Sequence, residues 1–459
     1  MTIESPSHPA LLIDLYELTM AAGYFEHKIE SRASFELFVR SLPPERLFLL
    51  AGGLESALNY LENLHFTGRE IDFLRRERAF RNTPESFFEY LRAFRFTGDV
   101  CAFPEGTVAF AEEPLVQITA PIIEAQIVET YLLSVINFET LAASKAARTV
   151  AAAEGRGVLE FGTRRAQGPE AGLRAARAAY LGGCIATSNV LAGFLYGVPL
   201  AGTSAHSWTQ VFTTERESFE ALLDSFPESA MLLIDTYSTL QGAELAANLG
   251  RKIAGVRIDS GDLLEQSRQV RKVLDGHGLH ETKIVASGDL NEFRIADLVA
   301  QGAPIDLFGV GTELATSRDV PALNVVYKLV ELMEGGRVTY KTKLSEHKAY
   351  APGRKQVFRF SRDGRYHHDL IARVDETYPE AESLLRPVIT GGKRTSARLS
   401  LDDLRADAMA NLAHLPEEYK ALQGGAVYPV QKSEALSRLD DEVRERCSAE
   451  VNAGTPEVY

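Results

Sequence analysis

The chain has 459 residues, 45% of them hydrophobic and 24% charged, with a net charge of −14. That length buries a large core and exceeds one ordinary domain, so two packed domains are expected. The acidic balance argues against a nucleic-acid or membrane-surface protein, whose phosphates it would repel, and obliges any anionic ligand to find a local cationic pocket.

At the N-terminus, MTIESPSHPALLIDLYELTM lacks a basic segment followed by an apolar core and a small-residue cleavage site, so it does not read as a signal peptide. Cys101, Cys184 and Cys447 are odd in number and too far apart for paired zinc-site spacings. A reducing, cytoplasmic location without zinc is expected. Residues 1–130 interleave helical segments (GLESALNYLENL, SFFEYLRAF) with candidate strands (ASFELFVR, DVCAFPEGTVAFAEE, PLVQITAP), which suggests a separate α+β layer.

Residues 131–335 carry a different rhythm. Between about 157 and 312, apolar runs alternate with polar turns and helical patterns: VLEF (158–161), CIAT (184–187), VPLAG (198–202), MLLID (231–235), AGVRID (254–259), KIVAS (283–287) and IDLFGV (305–310). Apolar on both faces, they read as buried parallel strands. DLLEQSRQVRKVL between two of them sets Leu263, Leu264, Val270, Val273 and Leu274 largely along one stripe. The expected fold class is α/β, an irregular βα (TIM-like) barrel, with an open doubly wound sheet as the competing form. The uncharged run from Leu181 to Thr214 is broken by six glycine and proline positions, among them Gly193, Gly197 and Pro199. It therefore reads as turns and short strands rather than a membrane span. Residues 336–400 hold a strand-rich patch (RVTYKTKLSE, KQVFRFSRDGRYHHDLI) expected to pack on the N-terminal domain and make it discontinuous, and 401–459 read as a charged helical tail.

Ligands bind at the carboxyl ends of strands in either α/β architecture. Those ends carry Gly162-Thr163-Arg164, Thr187-Ser188-Asn189, Thr203-Ser204-Ala205-His206, Asp235-Thr236, Asp259-Ser260-Gly261-Asp262, Ser287-Gly288-Asp289 and Gly309-Val310-Gly311-Thr312. The tripeptide SGD occurs twice, at 260–262 and 287–289. Each copy alone is an ordinary helix cap and tight turn. Together with Gly309-Val310-Gly311-Thr312 they make a phosphate cradle of free backbone N–H groups. Asp235 and Asp259, at strand ends, need partners, and suit ribose hydroxyls, Mg²⁺ or positive charge on a sugar carbon; a salt bridge with Arg257 is the alternative. Arg164 and Arg165 beside that cradle, with Arg148 on the preceding helix, can hold a carboxylate or phosphate. By residue type alone, Tyr16 reads as core and His206 as a hydrogen-bonded interior histidine.

Several stretches together resemble nicotinate phosphoribosyltransferase: DLYELTM (14–20), EFGTRRAQGPE (160–170), TSNVLAGFLYGVPLAGTSAHS (187–207), GVRIDSGDLL (255–264), FGVGTELATS (308–317) and PGRKQVFR (352–359). The match runs in order from residue 14 to about 360. The resemblance implies a type II phosphoribosyltransferase: an irregular βα barrel joined to a discontinuous α+β sandwich domain, assembled as a homodimer with shared active sites. It implies transfer from 5-phosphoribosyl 1-pyrophosphate to nicotinate, giving nicotinate mononucleotide and pyrophosphate with ATP hydrolysis, a C–N ligase reaction and the entry step of NAD salvage. Mg²⁺ would accompany ATP and the donor, with no dedicated protein metal site. Carried over by motif, Tyr16 of the neighbouring subunit and Phe161 would stack on the pyridine, and Arg164, Ser188, Thr203 and Arg257 would surround nicotinate. Asp235, Asp259, Ser260, Gly288, Asp289, Gly309, Gly311 and Thr312 would surround the phosphoribosyl group, with Asp259 and Asp289 catalytic. His206 matches the histidine that ATP phosphorylates, and Arg148, Lys343 and Lys355 are candidates for pyrophosphate. In the nearest rival, nicotinamide phosphoribosyltransferase, an acidic residue meets the amide where Ser188 stands here. A type I phosphoribose loop is disfavoured because LLIDTYSTLQG carries one acid rather than two. A metal-dependent aldolase or lyase and a non-enzymatic phosphate-binding regulator complete the alternatives.

Overall fold

A computed structural model describes residues 8–44, 46–345, 348–395 and 397–452, with side chains to 449. The first seven residues of the N-terminal stretch, Glu346 at the end of RVTYKTKLSE and the last seven of the tail lie outside them. The chain divides into two compact units, residues 1–140 with 322–400 and 410–459, and residues 141–321 with 401–409.

In the first unit, Arg32–Val39 lies inside a seven-stranded sheet, antiparallel to Pro114–Pro121 on one side and Val325–Glu334 on the other. Every residue of that strand after Arg32 is buried, so both faces are covered. Its Glu36 is tolerated there because Lys355 Nζ lies 2.6 Å from one carboxylate oxygen and Gln117 donates to the other at 2.9 Å. Asp99–Ala102 and Arg386–Thr390 extend the sheet, and Lys355–Arg362 with Arg365–Arg373 form the centre of a smaller one. The boundaries accordingly differ from those expected. Strand Val325–Glu334 belongs to the first unit by its pairing, so the second ends at Pro321. Nor is the tail a separate cover: Leu401, Leu404 and Ala408 are buried, Tyr180 donates to Asp402 at 2.6 Å, and Val430–Lys432 pairs with Arg365–Arg373.

The second unit holds six parallel strands in the order Ala186–Thr187, Gly157–Glu160, Leu307–Val310, Lys283–Ala286, Gly255–Ile258, Met231–Leu233. Except at their ends and at Arg257 their residues are buried, as apolar runs flanked by helices require. The expected seventh strand, VPLAG, shrinks to a single bridge between Thr187 and Leu200, leaving a half-barrel. Pro199 contributes no N–H there and only its carbonyl pairs, with Thr187 N at 3.0 Å. Helix Leu263–Gly276 starts where Asp262 accepts from Leu264 N and Glu265 N, and buries Leu263, Val270 and Leu274, with Leu264 and Val273 half-buried. The uncharged run folds into short elements, including helices Val190–Tyr196 and His206–Val211. Among the described residues no helix is long and apolar enough to cross a membrane.

Candidate active site

The carboxyl ends of the parallel strands surround a cavity of about 650 Å³. Phe161, Arg164, Ser188, Thr203, His206, Arg257, Asp259, Gly288, Asp289, Gly309, Gly311 and Thr312 all line it. Residues more than 150 positions apart meet because most follow strands of one sheet, while Thr203 and His206 follow the bridge at Leu200. A neighbouring cavity of about 600 Å³ shares the Gly202–Ala205 loop, but Trp208, Val211, Leu222, Phe226 and Met231 make it apolar, and no charged side chain lines it. Its hydroxyl groups are those of Thr203, Ser204, Ser207 and Ser229.

Arg257 organises the site. Its Nε donates to Ser287 Oγ at 2.8 Å, Nη1 to Thr203 Oγ1 at 2.7 Å and Nη2 to Asp259 Oδ1 at 2.6 Å, and its guanidinium lies 5.9 Å from the Phe161 ring centre. Three of the five N–H groups are thus committed, and two remain. Burial opposes ionisation of Asp259, yet the Ser287 hydroxyl, Arg257 and nearby His206 outweigh it and hold the carboxyl below its ordinary range. Asp259 therefore stays anionic beside whatever the cavity holds.

The two SGD copies behave differently. In the first, Asp262 caps a helix, while Ser260 donates to Asp235 Oδ2 at 2.7 Å. In the second, Ser287 bridges Arg257 and Asp259, Asn291 takes over the capping, and Gly288 and Asp289 adopt left-handed φ of 93° and 49°. A Cβ on Gly288 would sit 2.1 Å from the Asp259 carbonyl oxygen, so only glycine fits where these two turns cross.

Asp235 and Ser260 stand behind the lining rather than in it. Asp235 Oδ2 accepts from Asp259 N at 2.9 Å as well as from Ser260, while its Oδ1 is buried with no hydrogen-bond partner among the described residues. His206, half-buried at the start of its short helix, has Nδ1 3.2 Å from Thr236 Oγ1.

Glu160 was missed by sequence reasoning. Fully buried at the end of strand Gly157–Glu160, it accepts from Gly162 N and, at 2.5 Å, from Thr187 Oγ1. Asn189 adds a bond from its Nδ2 to Thr163 Oγ1 at 3.0 Å. These bonds tie the loop carrying Arg164 to the loop carrying Ser188, and burial raises the Glu160 carboxyl above its ordinary value despite them. Its signal was an acid inside an apolar run. Arg165, a candidate for a carboxylate or phosphate, also lines the cavity, as do Thr163, Ser204, Leu233, Ser287, Leu290 and Glu313, which had no individual role.

The remaining candidates lie elsewhere. Arg148 is 1% exposed, with Nε 3.2 Å from Glu292 Oε1, and is not part of the lining. Lys355 is held by Glu36 and the Gly353 carbonyl in the first unit. Buried ion pairs commit both, which explains why a basic residue at the right place in a motif need not face a ligand. Lys343 is exposed in the first unit, in the electrostatic neighbourhood of Lys328 together with Arg40 and Lys348. Burial pushes Lys328 below the usual lysine value against the pull of Glu129, and those three cations add repulsion. Tyr16, also in the first unit, is 45% exposed on helix Leu15–Glu26 and hydrogen-bonds Glu129. The core reading of Tyr16 by residue type is thus incorrect: its neighbour Glu17 is the buried one, with its carboxyl pushed up to about 8 by burial against the donating Thr130 hydroxyl.

A parallel βα half-barrel that gathers glycine turns, an arginine–carboxylate pair and a histidine around one strand-end cavity presents groups suited to a small phosphorylated ligand. Residues 11–137 match the nicotinate phosphoribosyltransferase N-terminal domain, 157–351 the nicotinate phosphoribosyltransferase family, and 377–440 the C-terminal domain of that enzyme. A nicotinate phosphoribosyltransferase of Mycobacterium tuberculosis is 44% identical over 454 residues, covering 97% of this chain and 96% of its own length. One from Bacillus subtilis is 38% identical, with 95% and 98% covered. The crystal structure of human nicotinic acid phosphoribosyltransferase superposes with a TM-score of 0.83 at 31% identity, covering 94% of this chain and 100% of the human one. The chain belongs to the nicotinate phosphoribosyltransferase family.

Proposed function

We propose that this protein transfers the phosphoribosyl group of 5-phosphoribosyl 1-pyrophosphate to nicotinate, releasing pyrophosphate and nicotinate mononucleotide, the first step of NAD salvage from nicotinate. The observation that carries this reading is the Arg257–Asp259–Ser287–Thr203 cluster, set between Phe161 and the two glycine turns around one cavity. The pyridine nitrogen attacks the anomeric carbon as the bond to pyrophosphate breaks, so no protein nucleophile is needed for this step. Asp259, kept anionic, stabilises the positive charge that develops on the sugar. Gly288, Gly309, Gly311 and Thr312 offer backbone N–H groups to the 5-phosphate. Arg164, exposed at the rim, with the two unused N–H groups of Arg257, takes the nicotinate carboxylate, and neutral Ser188 leaves that carboxylate unrepelled.

ATP hydrolysis is coupled through His206, making the reaction formally a C–N ligation. The Thr236 contact at Nδ1 orients the ring and leaves Nε2 to attack the γ-phosphorus, forming a P–N bond as ADP departs. The carboxylates of Asp259 and Asp289 would supply oxygen ligands of the right hardness for Mg²⁺ accompanying ATP and the donor. Among the described residues no group of three or more His, Cys, Asp or Glu is arranged to hold a metal. The working form is a cytoplasmic homodimer in which Tyr16, exposed here, stacks on the pyridine bound by the other subunit. Incubation with ATP labelled at the γ-phosphate, followed by acid treatment, tests the coupling. Acid-labile label is expected on the wild type and none on His206→Ala; label persisting on the variant overturns the assignment.

A further inference from the structure

Lys145 lies on helix Glu129–Ala152, is 1% exposed, and is not among the residues lining the cavity. Its ammonium is 2.6 Å from Glu292 Oε2, 2.8 Å from Asp319 Oδ1 and 3.9 Å from Glu313 Oε2. One helical turn further on, Arg148 Nε meets the other Glu292 oxygen at 3.2 Å. The positions of the acids give this cluster its meaning. Glu292 is the first residue of helix Glu292–Ala300, three residues after Asp289; Glu313 is the second residue of helix Thr312–Ala315, immediately after the Gly309–Thr312 turn. One buried cation thus joins the starts of the two helices that follow the two glycine turns, and both turns line the same cavity.

We propose that Lys145 is a positioning residue for the phosphoribosyl side of the site, setting the spacing of the Ser287–Asp289 and Gly309–Thr312 turns and neutralising the carboxylates behind them. The inference rests on the reading of the cavity as a phosphoribosyl donor site. Two physical effects act together. Backbone N–H groups from separate turns can converge on one phosphate only if their separation is fixed, and displacements near 1 Å cost about 100-fold in rate. An unneutralised Glu292 behind those groups, or Glu313 in the lining itself, would also oppose binding of an anion. Lys145 pairs with Glu292 and Asp319, Arg148 with Glu292, and Arg318 with Glu313, so each of these carboxylates has a cationic partner.

The test compares Lys145→Met, Lys145→Arg and Asp319→Asn with the wild type. KM for each substrate and kcat are measured in turnover, donor binding by calorimetry, and melting temperature alongside. Lys145→Met is expected to raise KM and Kd for 5-phosphoribosyl 1-pyrophosphate about 10- to 100-fold while KM for nicotinate changes less than about twofold, with partial recovery in Lys145→Arg. Asp319→Asn, which retains the lysine, should move the same constants in the same direction by a few-fold, and keeps the test readable if Lys145→Met fails to fold. Equal shifts in both substrates' constants, or activity lost only in proportion to folded protein, would overturn the positioning role. A wild type that binds the donor but does not convert nicotinate would refute the proposed reaction and leave the calorimetric comparison to decide on Lys145. Absence of donor binding to the wild type would remove both.

Discussion

The two sides of the cavity are held in place by different chemistry. On the side assigned to the pyridine, the loops bearing Arg164 and Ser188 are joined by hydrogen bonds to the buried Glu160, whose carboxyl has a raised pKa. On the phosphoribosyl side, the glycine turns are joined through ion pairs to the buried Lys145. A site for an aromatic ring needs two walls at a set distance, which the hydrogen bonds to Glu160 fix. A site for a dianion has acids behind its turns and needs a counter-charge to keep them silent. Arg257 touches both sides, through Thr203 and through Ser287 with Asp259.

Substitution at Arg257 should therefore erase the distinction. Arg257→Met is expected to lower kcat/KM by about 10³ and raise KM for both substrates, because it removes donors from both walls and strips Asp259 of its partner. Gly288→Ala should act on one side only. Its Cβ would meet the Asp259 carbonyl oxygen at 2.1 Å, and its φ of 93° disfavours any side chain. We expect a loss of about 1–3 kcal/mol in stability, read by denaturant melts, and a donor KM raised more than that of nicotinate. Glu160→Gln should mark the other side. It places an amide N–H against one of two hydrogen-bond donors, costing about 1–3 kcal/mol, and should raise the nicotinate KM about tenfold while the donor KM changes less than about twofold.

The smallest effect is expected in the first unit, at Glu17. Its carboxyl is neutral in the folded protein up to a pKa of about 8 but ionises near 4.5 when unfolded. The folded state thus binds the extra proton between those values, and stability falls as pH rises through that window. Glu17→Gln should melt about 2 °C above the wild type at pH 8.5 and at nearly the same temperature at pH 4.

The parallel strands were legible because each is a short apolar run ended by a polar cluster, and the order of those clusters placed most of the lining residues. VPLAG misled because its apolar content matched a strand, while Pro199 and the flanking glycines limited it to one bridge. Glu160 and Lys145 escaped notice for the same physical reason. A buried charge is recognised by its partner, and Glu292 stands 147 positions from Lys145, in another strand-helix unit. Arg148 and Lys355 show the converse. Their charge made them candidates for pyrophosphate, but Glu292 and Glu36 hold them in buried ion pairs. Tyr16 and Glu17 are adjacent, yet the aromatic is exposed and the acid buried, an inversion that residue type alone does not predict.

The central claim is that Arg164, Arg257 and Ser188 select a carboxylate-bearing pyridine for phosphoribosyl transfer. The most direct measurement is turnover of nicotinate and nicotinamide in parallel with 5-phosphoribosyl 1-pyrophosphate, Mg²⁺ and ATP, with the mononucleotide products separated and quantified. The account predicts nicotinate mononucleotide and pyrophosphate in equal amounts, with kcat/KM at least about 100-fold higher for nicotinate, as a buried charged contact would give. Equal turnover of the two pyridines, or a preference for nicotinamide, would contradict it.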